Sequence, residues 1–182
     1  MFDFGIEGYR PRWSSGRSSV VAGHGHRLRA LVGRPLTCVW LVWDLEDDEW
    51  FRDCPVLLDF SGERVEINHR KFDDLSITWN TVDPARPVLW PGLELRWRFD
   101  ADAELLGLRG QVLRDVELLE WSGRDAAEGT LAVSFLFRRD RLTIANALDE
   151  NELTLGPPDS RYRPHSRRVR TCRIAGDSDP GS

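Results

Sequence analysis

The sequence predicts a mainly β protein with two short helices, in which two tandem antiparallel β units related by a pseudo-twofold form one sandwich- or barrel-like domain. Three observations carry this. Laid 77 positions apart, Leu28–Ile67 and Leu105–Ile144 agree at eleven of forty positions, among them Gly33/Gly110, Leu36/Leu113, Val56/Val133, Phe60/Phe137 and Ile67/Ile144. Nine of the eleven are apolar or glycine, so the match falls on residues that fill a core or permit a tight backbone. Leu131, Val133, Phe135 and Phe137 alternate with period two, which places four side chains on one face of a strand. Ser61-Gly62 sits between two apolar runs and marks a hairpin turn.

Each unit reads as a helical turn ending at a glycine, then a strand, then a hairpin. Helical turns are expected at Arg27–Leu31 and Ala103–Leu108, each running into a glycine suited to a left-handed helix end. Strands follow at Leu36–Trp43 and Val112–Trp121, and hairpins at Val56–Phe60 with Val65–Ile67 and at Leu131–Phe137 with Leu142–Ala145. Leu36–Trp43 has no polar face, which predicts a strand covered on both sides. Beyond Ile67 the spacing shifts: Leu75-Ser76-Ile77 aligns with Leu153-Thr154-Leu155 at 78, implying one extra residue in the second unit, as a bulge or longer turn.

The units are expected at residues 26–80 and 102–158. Residues 81–101 form a proline-rich linker, through Pro84, Pro87 and Pro91, plus an extra strand in which Leu93, Leu95, Trp97 and Phe99 alternate with charged residues. Residues 1–25 contain Phe2, Phe4, Tyr9 and Trp13 without sustained period and read as a flexible or loosely docked arm; residues 159–182, with six arginines, read as a disordered basic tail.

With 41% apolar and 30% charged residues over 182 positions, the balance is that of an ordinary globular chain, and no apolar run approaches a membrane span. No secretory leader pattern opens the chain, so a cytoplasmic location is expected. Residues 31–158 hold 25 acids against 14 bases. Such an acidic body repels phosphate backbones, which argues against nucleic-acid binding and for a basic protein partner.

Cys38, Cys54 and Cys172 have no metal-ligand spacing and read as small hydrophobes. His24 and His26 lack further ligands nearby, and the acids of Asp44–Glu49 lack the glycine and alternation of a calcium loop, so no metal and no cofactor are expected. Phosphate loops, dinucleotide fingerprints and serine elbows are missing. One acid–base constellation titrates near neutrality: His69 with Asp73 and Asp74. Its junction corresponds to Asn146–Glu152, and if the units are related by a twofold the two junctions meet, bringing Asp149 and Glu150 near.

Three functional expectations follow. The first is a non-catalytic acidic interaction module that neutralises a basic partner, as an immunity-like protein would, with Trp50, Trp79, Asp149 and Glu150 as binding residues. The second is a hydrolase or lyase using His69 with Asp73 or Asp74. The third is a small-molecule binder in a cleft between the units, lined by Trp50 and Trp79.

Overall fold

A computed structural model describes residues 4–164. Its elements in chain order are β1 (Trp13–Ser14), α1 (Arg17–Arg29), β2 (Cys38–Asp44), β3 (Glu49–Trp50), β4 (Val56–Phe60), β5 (Glu63–Arg70), β6 (Asp74–Trp79), β7 (Leu95–Arg98), α2 (Ala103–Leu106), β8 (Asp115–Trp121), β9 (Leu131–Leu136), β10 (Arg141–Asn146), β11 (Asn151–Leu155) and β12 (Tyr162–Pro164). The protein is mainly β, with two antiparallel sheets. One runs β1-β6-β5-β4-β2-β3 with β7 also on β2, and the other β11-β10-β9-β8-β12.

The two sheets bury one interior between them. Leu36, Val56, Leu58, Phe60, Val65 and Ile67 from the first half meet Leu113, Val133, Phe135, Phe137, Leu142 and Ile144 from the second in a single cluster. At its centre Phe60 and Phe135 stack with ring centroids 5.7 Å apart. The expected alternation holds: Leu131, Val133, Phe135 and Phe137 are all buried. The β4–β5 hairpin turns at Ser61-Gly62, both with positive φ (53° and 87°), the backbone that a tight two-residue turn between twisted strands requires.

Ladder registers recur between the halves at a spacing of 77. Val39 pairs with Leu58 as Val116 does with Phe135, and Val56 with Ile67 as Val133 does with Ile144. The expected shift to 78 is overturned. Ile67 pairs with Ile77, whereas Ile144 pairs with Leu153, so the spacing falls to 76. Counted from the equivalent pairs His69–Leu75 and Asn146–Asn151, the second hairpin encloses four residues, 147–150, where the first encloses five, 70–74, so the leucine likeness that suggested an insertion is a coincidence of composition.

Between the sheets the chain crosses itself reciprocally. The amide of Gly33 donates to the Leu113 carbonyl and that of Gly110 to the Leu36 carbonyl, while Leu36 donates to Gln111 and Leu113 to Arg34. Each bond has its counterpart 77 residues along. Gly33 and Gly110 sit at φ 89° and 82°, where a side chain would be strained.

Residues 4–25 are not a flexible arm. Phe4, Ile6 and Tyr9 are buried in a second cluster with Val42, Leu57, Val88, Leu95 and Trp97. Ile6 bridges to Val88 and Val88 to Leu95, so the N-terminal segment and the proline-rich segment together roof the outer face of the first sheet. This is why β2 and β4 lack a polar face: Val39 and Leu58 look inward, Val42 and Leu57 outward. The helix expected at Arg27–Leu31 begins ten residues earlier, at Arg17. Its N-cap side chain is missing, and its last turn carries His26, Arg27 and Arg29, which favour the negative end of the helix dipole. The extra strand joins the first sheet, β7 pairing with β2. Residues 159–164 of the expected tail include β12, which pairs with β8; residues 165–182, the rest of that tail, lie outside the described residues.

The roof makes a prediction. Gly5 has φ +64°, and a Cβ there would collide with the Leu89 carbonyl. Gly5→Ala is expected to cost about 2 kcal/mol through left-handed strain and the clash. Urea unfolding measures it; a variant as stable as the parent would mean the segment is not seated.

Candidate functional site

The two long hairpins end side by side. The β5–β6 connection, residues 71–73, comes from the first half, and the β10–β11 connection, residues 147–150, from the second. Beneath them lies a buried polar network centred on Asn151 at the start of β11. Its amide nitrogen shares its two hydrogens among three acceptors, the carbonyls of Arg52 (2.9 Å) and Cys54 (2.9 Å) and Asn68 Oδ1 (2.6 Å). Its side-chain oxygen accepts from the His69 backbone N–H (3.0 Å) and lies 3.1 Å from His69 Nδ1. Asn68 donates in turn to the Asp53 carbonyl. Because Asn151 Nδ2 faces two backbone carbonyls, its amide orientation is fixed by chemistry rather than choice.

His69 is buried, and its Nε2 lies 3.1 Å from the Leu131 carbonyl. Both ring nitrogens thus face acceptors, although a neutral ring carries one N–H. Loss of hydration holds the ring well below the ordinary histidine value, at about 4, and outweighs the two acceptors, which favour the proton. At neutral pH the ring is uncharged.

The expected acid–base constellation is not assembled. Asp74 pairs with Arg70 at 3.1 Å, and Asp73 is exposed. His69 bonds to neither, and takes Asn151 and Leu131 instead. Sequence reasoning missed Asn151, which is 82 residues from His69. An asparagine opening an apolar strand was the available signal.

Above this network the tips are clasped. Asn146 Nδ2 donates to the Lys71 carbonyl at 2.6 Å, and the Lys71 amide donates to the Asp149 carboxylate. Lys71, Leu148 and Asp149 all have left-handed φ (54°, 63° and 104°) without being glycine. Such backbone costs about 1–3 kcal/mol per residue and persists only where the surroundings impose it. The strained tips present Phe72 (56% exposed) and Leu148 (65% exposed) to solvent.

Acids collect on and beside these loops. Asp53 is half-buried, and its carboxyl is raised first by lost hydration and then by the charges of Glu150 and Asp149. Arg52 partly answers them, lying 3.6 Å from Glu150 and over the Trp50 ring. Asp149, Glu150 and Trp50 therefore belong to one neighbourhood. Trp79 does not open onto a cleft: its indole N–H donates to His24 Nδ1 (3.2 Å), and the Arg27 guanidinium covers its ring.

The remaining polar signals have local roles. Asp44 accepts from the Glu46 and Asp47 amides and Asp48 from the Trp43 indole, so the acidic run is a hydrogen-bonded turn. Asp125 accepts from the Trp121 indole in the same way in the second half. Burial pushes the Cys38 thiol up to about 11 and that of Cys54 higher, which leaves both protonated and unreactive. Among the described residues, no group of three or more His, Cys, Asp and Glu could hold a metal ion, and no helix is long and apolar enough to cross a membrane.

No protein-family model, no curated protein and no solved structure matches the chain.

Proposed function

We propose that this protein is a non-catalytic interaction module, built from two β units related by a pseudo-twofold, whose paired hairpin tips dock a basic protein partner. The observation that carries this reading is that Phe72 and Leu148 are exposed on two strained loops clasped to one another through Lys71, Asn146 and Asp149, with Asp73, Asp149 and Glu150 on the same loops and Asp53 within electrostatic reach of Asp149 and Glu150. Exposed apolar anchors inside a charged rim are the anatomy of a protein interface, with the apolar pair supplying affinity and the acids steering and selecting the partner. The recurrence of ladder registers and the reciprocal bonds around Gly33 and Gly110 support the two-unit description. The acid–base reading lacks a carboxylate on His69, and the cleft reading lacks an open Trp79.

Affinity capture with the full chain, followed by titration of the purified partner, tests the proposal. Phe72→Ser with Leu148→Ser is expected to weaken binding about 100-fold, in the range that loss of two central anchors produces. Binding by the parent is expected to fall steeply as salt rises. Salt-independent binding, or a double variant that binds like the parent, would overturn the reading.

A further inference from the structure

At the far end of β10 from the hairpin tips, the surface changes sign. An open groove of about 360 Å³ is lined by Gln111, Val112, Arg114, Arg138 and Arg139. Three guanidiniums and no carboxylate line it, on a chain whose net charge is −5.

Two acids next to these arginines in sequence take other partners, Asp140 on the lining residue Gln111 at the groove's edge. Asp115 accepts from the Val116 amide at 2.8 Å, and Asp140 accepts from the Gln111 side chain at 2.6 Å. Among the described residues neither pairs with Arg114, Arg138 or Arg139. Seven other arginines, among them Arg27, Arg70, Arg141 and Arg161, do have carboxylate partners.

The walls of the groove are fixed. Gln111 ties the β9–β10 turn to the Gly107 carbonyl as well as to Asp140, the Phe137 amide donates to the Asp140 carbonyl, and the Arg114 amide donates to Leu136. The Leu36–Gln111 and Arg34–Leu113 bonds hold the other wall against the first half. Like charges brought together on such a frame repel unless an anion sits among them. Guanidinium forks match phosphoryl oxygens two at a time, and three of them exceed what one monoanion neutralises. The volume falls in the range of small-molecule sites, and exposed Val112 adds an apolar wall.

We propose that this groove binds a small polyanion bearing phosphoryl groups, held by Arg114, Arg138 and Arg139 and walled by Val112. The site is independent of the hairpin-tip interface, so either reading can fail alone.

The experiment is calorimetric titration of the full chain with inorganic pyrophosphate, inorganic phosphate and citrate, with melting temperatures read in parallel. Pyrophosphate is expected to bind saturably, more tightly than phosphate or citrate. Arg138→Gln with Arg139→Gln is expected to weaken it at least 10-fold, and Arg114→Gln alone to weaken it measurably. A control removing two exposed arginines elsewhere, Arg29→Gln with Arg124→Gln, should bind like the parent. Unliganded melting temperatures identify any variant that fails to fold, in which case the Arg114→Gln result decides. No saturable binding, tighter binding of citrate than of pyrophosphate, or equal loss in the control would overturn the proposal.

Discussion

Replacing Asn151 by alanine is expected to lower the unfolding free energy by about 4 kcal/mol, the upper part of the range for single substitutions. Its side chain serves the Arg52 and Cys54 carbonyls, Asn68 Oδ1 and both the backbone and ring nitrogens of His69. The Cys54 carbonyl, Asn68 and His69 lie where water cannot replace it, and a buried polar group left without a partner costs about 1–3 kcal/mol. Asn151→Asp separates hydrogen bonding from volume. It keeps the shape but turns an acceptor toward three acceptors, so it should be at least as damaging at neutral pH. Denaturant unfolding followed by tryptophan fluorescence reads both. A loss below about 1 kcal/mol in each would show that the network does not join the halves.

Acid is expected to destabilise the fold through His69. The ring sits at about 4 in the folded chain against 6.5 for an ordinary histidine. The sign follows directly: above pH 6.5 the ring is neutral folded or unfolded, and its contribution is fully present. As pH falls from 6.5 toward 4 the unfolded chain takes up the proton first, and stability declines by up to about 3 kcal/mol. His24 shifts in the same direction, whereas Asp53, whose carboxyl is raised, works against the decline. Comparison with His69→Gln isolates the contribution, since the other groups remain. Parent and variant should lose stability at different rates between pH 6.5 and 4; parallel curves would sink the assignment.

Both predictions rest on residues that the sequence could not connect. Elements with local signatures were legible. Ser61-Gly62 marks its hairpin because both residues tolerate the required backbone, and Leu131, Val133 and Phe135 declare a buried face because strand side chains alternate. The apolar run at Leu36–Trp43 reads correctly as a strand covered twice, although what covers its outer face was hidden. Phe4, Ile6 and Tyr9 show no period because they dock one by one onto the outer face of the first sheet rather than along a shared strand. The helix Arg17–Arg29 escapes pattern reading because only Val20, Gly25 and Leu28 are buried. His69 lies close in sequence to Asp73 and Asp74, but in a hairpin its inward ring and the exposed tip point apart. Its partner arrives from the other half of the chain.

The Asn151 junction also bears on how the protein is made. His69 leaves the ribosome 82 residues, and the Cys54 and Arg52 carbonyls 97 and 99 residues, ahead of the side chain that satisfies them, and Phe60 likewise precedes its stacking partner Phe135. Until β11 is synthesised, the nascent first sheet holds an uncovered apolar face and unanswered polar groups. Translation beyond Asn151, rather than completion of the first sheet, is the point at which the growing chain can close.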